Sequence, residues 1–228
     1  MAVIQILFWI DFICPYCYIA RQRIESVMKE LNISQKFKFQ YLSFELDPSA
    51  PRERPLNIIE NFAKKYKITI EEAKLRVEHI SQMGRQEGID FKYATCKGGN
   101  TLKAHRLVKY VANKGDYENT KEIIRLLYDA YFTKNLLISD ENVLIGIGMQ
   151  VGCTKEEIEQ LMIGDKFTKE VRDDEENAYA QGIHSVPYFK INDKEIISGC
   201  ASKEEMKNIL LKILTENNYI KDNIDENL

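Results

Sequence analysis

The sequence predicts an α/β fold in which a β-α-β half and a β-β-α half are separated by a large all-helical insertion. Three observations predict it. Val3 to Ile10 is an almost continuously apolar run, as expected of a strand covered on both faces. More than a hundred residues after Pro55 carry only helical signals. Ser185 to Ile191 and Glu195 to Ser198 then flank the polar pair Asn192-Asp193, the pattern of a β-hairpin.

The first half is read in order as follows. From Pro15 the period changes, and Ala20, Ile24, Val27 and Leu31 mark one face of a helix ending near Asn32. Phe37, Phe39 and Tyr41 alternate with Lys38 and Gln40 in a second strand running to about Phe44. Leu46-Asp47-Pro48 and the prolines at 51 and 55 break the chain there.

Helices are then expected over 56–66, 69–87, 101–114, 118–134, 140–151, 155–163 and 166–181. Thr69 with Glu72, Thr154 with Glu157 and Ser202 with Glu205 have capping-box spacing, and Ser139-Asp140-Glu141 is an acidic helix start. Gly182 stops the last of these helices, and the hairpin follows. An amphipathic helix over 202–214 carries Met206, Ile209, Leu210 and Ile213 on its apolar side. The Asn/Asp/Glu-rich tail, 217–228, is expected to fray. The expected units are therefore 1–50 with 166–216, and an insertion over 51–165.

The chemistry concentrates in Asp11 to Tyr18, D-F-I-C-P-Y-C-Y, at the first strand-helix junction. Pro15 suits the first helical position, which puts Cys14 at the N-cap and Cys17 in the first turn. The free amides and dipole of the helix start favour thiolate over thiol at Cys14. Cys17, one step inward, is the natural resolving thiol.

Composition bounds the alternatives. The 228 residues are 44% hydrophobic and 29% charged, enough for one core with a subdomain. A net charge of −3 without a clustered Lys/Arg block argues against nucleic acid. No Lys or Arg precedes Arg21, bulky Ile13 precedes Cys14, and no apolar window is long enough to span a bilayer. A signal peptide, lipidation and membrane insertion are therefore not expected. Five cysteines, odd in number and scattered apart from the C-x-x-C pair, read as reduced cytoplasmic thiols. Cys14 and Cys17 as zinc ligands would need two more ligands, and no second C-x-x-C or H-x-x-x-H exists. Cys96 and Cys153 read as buried small hydrophobes.

Five stretches together carry a resemblance over nearly the whole chain: D-F-I-C-P-Y-C-Y-I-A (Asp11 to Ala20), F-E-L-D-P (Phe44 to Pro48), N-T-L-K-A-H-R-L (Asn100 to Leu107), A-Y-F (Ala130 to Phe132) and G-I-H-S-V-P-Y-F (Gly182 to Phe189). In this the chain resembles the DsbA-like family, a thioredoxin-like fold with a helical insertion, and within it the FrnE-type branch of dithiol-disulfide isomerases. The resemblance implies a thiol-disulfide oxidoreductase in which Cys14 attacks, Cys17 resolves, and a cis Pro187 faces the dithiol. Val186 would then pair with an extended substrate strand, with Pro15, Tyr16 and His184 beside it. No cofactor is implied. Glutathione is a candidate substrate beside protein or small-molecule disulfides, and a redox-recycling partner of unspecified identity is required.

The chain also departs from the pattern. Tyr16 stands where the branch commonly has Trp, and Phe8 stands where thioredoxin keeps a buried acid, six residues before the first cysteine. Asp11, three residues before Cys14, has two readings, a proton shuttle for Cys17 or, as favoured, a cap on the turn. His184 reads either as a contact to thiolate or substrate or as an exposed loop histidine. His105 is expected to be a hydrogen-bonded packing residue. Cys200, at the end of the second hairpin strand, should return to the sheet edge near Cys14, either lining the groove as an oxidisable thiol or packing before the last helix. A glutathione-dependent isomerase or transferase of the kappa or hydroxychromene-carboxylate isomerase type is a second function class, though these usually have serine at the position of Cys14. A non-enzymatic redox sensor or metal-binding module is a third.

Overall fold

The computed structural model describes residues 3–217 and Tyr219. Apart from Asn217 and Tyr219, the tail expected to fray lies outside the described residues. Strand β1 (Ile4–Ile10) leads into helix α1 (Pro15–Glu30) and strand β2 (Phe37–Ser43). Six helices follow: α2 (Ile58–Tyr66), α3 (Ile70–Gln86), α4 (Leu102–Asn113), α5 (Tyr117–Phe132), α6 (Glu141–Gln150) and α7 (Lys155–Ile163). The chain closes with α8 (Thr168–Ala180), β3 (Tyr188–Ile191), β4 (Glu195–Ser198) and α9 (Lys203–Glu216). The α/β class and the helical insertion are as expected from the sequence.

The sheet order is β2-β1-β3-β4. β1 runs parallel to β2, with Phe8 opposite Tyr41, and antiparallel to β3, with Phe8 opposite Phe189. Phe8 and Phe189 stack at 3.9 Å between ring centroids. On the other face Trp9 donates its indole N–H to the main-chain carbonyl of Asp174 in α8 at 3.3 Å. β2 is an edge strand, and side chains occupy two of its outward amides. The hydroxyl of Tyr117 accepts from Phe39 N–H at 2.9 Å, and the carboxylate of Asp174 accepts from Ser43 N–H at 2.7 Å.

The helix starts follow local chemistry. Thr69 with Glu72 and Thr154 with Glu157 form reciprocal capping boxes, whereas Ser202 accepts from Glu205 N–H without the return bond. Asn57 with Glu60 adds a capping box the sequence reading did not single out, and Asp116 caps α5 one residue earlier than expected. The first hairpin strand begins at Tyr188, not Ser185. Pro187 has no N–H to give a ladder, and its carbonyl instead accepts from Gly199 N–H at 2.9 Å.

The insertion shares one continuous core with the sheet domain. At the join, Tyr18 of α1 stacks on Tyr128 of α5 at 4.8 Å, and Phe91 stacks on Phe132 at 4.6 Å. This aromatic layer lies directly behind the start of α1. It fixes the insertion against the C-x-x-C turn.

Candidate active site

Cys14 is the N-cap of α1 with extended backbone, and Pro15 is the first helical residue. The turn is tied by main-chain bonds, Cys14 N–H to Asp11 C=O and Cys17 N–H to Cys14 C=O, both at 3.2 Å. Cys14 is 3% exposed and Cys17 fully buried. Burial, then the hydrogen bond and charge of Cys14, push the Cys17 thiol well above the ordinary cysteine range; the charge of Asp11 adds to this, while an Asp11 main-chain hydrogen bond opposes it. The two thiols are therefore unequal. Cys17 holds its proton while Cys14 faces the cleft.

Across from Cys14 the Val186-Pro187 bond is cis. The Cys14 thiol donates to the Val186 carbonyl at 3.5 Å. Cys14, Pro15, Tyr16, His184 and Val186 line one cleft, of about 900 Å³, closed on the other side by residues of the insertion. His184 is exposed there, with its ring 5.9 Å from that of Tyr179. Burial and then Tyr66, Cys14 and Cys200 raise the Tyr16 phenol above its ordinary value. Tyr16 is thus a neutral, half-open aromatic beside the thiols.

Asp11 corrects the favoured reading. Its carboxylate does not cap α1 but turns inward, fully buried, where one oxygen accepts from Leu46 N–H at 2.7 Å. The other oxygen faces Nε2 of His105 at 3.5 Å, and neither atom has a hydrogen-bond partner. His105 packs its ring on Phe12 at 4.8 Å, so it is a packing residue as expected, but Nε2 is not hydrogen-bonded. Little is left at the helix start for a side-chain cap, because Pro15 has no N–H and Cys17 N–H is already taken by the Cys14 carbonyl. That frees the carboxylate to point beneath the thiols.

Sequence reasoning missed the acid that follows β2. Glu45 accepts from Arg172 at 2.6 Å and from Asn100 at 3.1 Å, and its own N–H donates to Glu175 at 2.9 Å. F-E-L-D-P and N-T-L-K-A-H-R-L meet here, which is the one signal that could have found it.

Cys200 is half-buried and does not line the cleft. Its sulfur accepts from Arg23 at 3.5 Å, and burial pushes its thiol up to about 11. Cys96 donates to the Tyr131 carbonyl at 3.2 Å and is pushed up to about 12, mainly by burial; Cys153 is also raised, again chiefly by burial. Among the described residues no group of three or more His, Cys, Asp and Glu side chains is placed to hold a metal ion, and no helix is long and apolar enough to cross a membrane.

The uncharacterized protein YwbO of Bacillus subtilis is 23% identical over 208 residues, 88% of this chain and 92% of that protein. Among solved structures, a probable DsbA oxidoreductase of Streptomyces coelicolor superposes with a TM-score of 0.85 at 22% identity, covering 99% of this chain and 93% of that one. A 2-hydroxychromene-2-carboxylate isomerase follows the same fold with a TM-score of 0.71 at 12% identity, over 94% of this chain and 98% of the other. The cytosolic disulfide reductase DsbM of Pseudomonas aeruginosa does so at 0.61 and 11%, over 93% and 99%. A family model, the DSBA-like thioredoxin domain, matches residues 5–211. With the paired thiols at the start of α1 and the sheet order described above, the chain belongs to the DSBA-like thioredoxin domain family.

Proposed function

We propose that this chain is a cytoplasmic thiol-disulfide oxidoreductase of the FrnE-type branch, working through Cys14-Pro15-Tyr16-Cys17. The observation that carries the reading is the opposition of Cys14 to the Val186 carbonyl across the cleft, beside a second thiol that is buried and held protonated. A Cys14 thiolate attacks one sulfur of a substrate disulfide. That bond breaks, a Cys14 mixed disulfide forms, and the departing thiolate takes up a proton. The charge and hydrogen bond of Cys14 that helped to hold the Cys17 proton are then gone. Cys17 loses its proton and attacks Cys14, releasing the second substrate thiol. Two electrons have passed from the dithiol to the substrate; the reverse sequence oxidises a substrate dithiol.

The order of events follows from the unequal environments. Asp11, turned inward with His105 against it, receives the Cys17 proton. Val186 docks the substrate main chain, and Tyr16 and His184 flank it. The likeness to a hydroxychromene-carboxylate isomerase supports a glutathione-dependent isomerase as a second reading. The buried resolving thiol weighs against it, because that chemistry does not use a dithiol.

Trapping tests the assignment. Cys17→Ser should accumulate a Cys14 mixed disulfide with a peptide disulfide, and Cys14→Ser should show no exchange, both read by intact mass. Equal trapping by both variants would overturn the roles. Turnover of a glutathione adduct that survives Cys17→Ser would support the isomerase reading instead.

A further inference from the structure

The cleft beside Cys14 is larger than a small disulfide requires. At about 900 Å³ it stands near the top of the ~300–1,000 Å³ typical of small-molecule sites. It continues past Tyr16 into a second hollow of about 460 Å³ between α2 and α3. Tyr16, Phe62, Tyr66 and Ile80 line both. The result is a channel that leads away from the thiols across the insertion.

Its surface has two further properties. Tyr16, Tyr66 and Leu75 are 37%, 48% and 73% exposed, a run of large apolar side chains along one path. Such a contiguous exposed patch marks an interaction surface more than isolated apolar residues do. The charges are one-sided. Among the described residues, the acids lining the two hollows, Glu45 and Asp47, are paired with Arg172 and Arg54. Lys64, Lys65 and Arg76 line them with no ion pair among the described residues. Arg76 has Glu72 one turn before it in α3, so the excess of positive charge on this path rests first on Lys64 and Lys65.

We propose that the channel seats an extended polypeptide whose disulfide cysteine lies at Cys14 and whose flanking residues are apolar and acidic. The apolar side chains lie on Tyr16, Tyr66 and Leu75, and the carboxylates meet Lys64, Lys65 and Arg76. This rests on the oxidoreductase reading and adds to it the class of substrate.

The test uses ten-residue peptides with a central cysteine in disulfide linkage to 2-mercaptoethanol, two leucines, and Glu, Gln or Lys at the flanking positions. The reduced protein is mixed with each in a single turnover. Two electrons pass from the dithiol to the peptide disulfide, leaving the Cys14–Cys17 disulfide, the peptide thiol and 2-mercaptoethanol. Two exposed ion pairs at ~0.5 kcal/mol each give the Glu peptide about a fivefold advantage over the Gln peptide. The Lys peptide should be slower than both, and the order should compress as salt rises. Lys64→Glu with Lys65→Glu and Arg76→Glu should invert it.

Equal rates for the three peptides, or a preference for Lys, overturn the proposal, as does oxidised glutathione reacting as fast as the Glu peptide at equal concentration. A dimer that Tyr66→Asp dissociates would assign the surface to a second copy and overturn it as well. Turnover of hydroxyethyl disulfide by the unmodified protein separates the two failures. If neither that small neutral disulfide nor any peptide is reduced, the oxidoreductase reading has failed; if it is reduced and the peptides are not distinguished, only the docking proposal has.

Discussion

Replacing Arg172 by alanine removes the counter-ion of a buried acid in the cleft wall. Arg172 donates to Glu45 and Glu175 at 2.6 Å each, and among the described residues Asn100 is the only other side-chain donor to Glu45. The Glu45 side chain is fully enclosed, while about a third of Arg172 reaches solvent. Burial pushes the Glu45 carboxyl above its ordinary value, and His105 and Arg172 pull it back. Without the guanidinium two carboxylates face each other. Breaking a buried pair costs about 3–5 kcal/mol, and the partial solvation of Arg172 places this one near ~3 kcal/mol at pH 8.

The sign of the pH dependence follows from linkage. A carboxyl whose folded-state pKa lies above its unfolded value penalises the fold when ionised. The penalty is complete above the folded pKa and recedes as pH falls through it, by ~1.4 kcal/mol per unit until the unfolded value is reached. Arg172→Ala raises the folded value further. Urea unfolding should therefore show a loss smaller by about 1–2 kcal/mol at pH 5 than at pH 8, and Glu45→Gln in the same chain should abolish that difference. An equal loss at both pH values would refute the electrostatic account and assign the effect to the packing of the arginine stem.

Two further outcomes are expected. Asp11→Asn keeps an oxygen for Leu46 N–H but removes the acceptor for the Cys17 proton, so attack by Cys14 should persist while the mixed disulfide resolves about 10²-fold more slowly; quenched-flow mass spectrometry with an unchanged mixed-disulfide lifetime would remove Asp11 from the relay. Cys200, with its thiol pushed up to about 11 and its sulfur held by Arg23, should be alkylated at pH 7.5 at least ~100-fold more slowly than Cys14. Equal labelling of the two in the native reduced protein would place Cys200 in the groove after all.

What could be read from the sequence was what short-range chemistry writes. The capping boxes at Thr69 and Thr154 span three residues, and the C-P-Y-C turn is fixed by Pro15 at the helix start, so both were visible locally. The Val186-Pro187 motif was visible only through resemblance. The Glu45–Arg172 pair was not legible, since its partners are 127 residues apart and, although Glu45 lies in F-E-L-D-P, nothing local marks Arg172. Asp11 misled for the same reason. Its position suggested a cap, but the carboxylate turned to a main-chain donor far along the chain, Leu46 N–H, and against the ring of His105 in the insertion. The hairpin strand was read three residues too long because alternation alone does not reveal that Pro187 cannot join a ladder.

The occupied edge of β2 bears on how such a protein coexists with its own substrates. A protein that handles extended chains risks becoming a template for them, because an open strand edge recruits any exposed strand and can seed aggregation. Here the outward amides of Phe39 and Ser43 are already taken by Tyr117 and Asp174, and the opposite edge, β4, is only four residues long. Loss of the Tyr117 hydroxyl or the Asp174 carboxylate would uncover β-pairing groups on the side of the sheet away from β3. Sticking of unfolded chains there would lead to no chemistry, and the two occupied amides make this edge a poorer template for it.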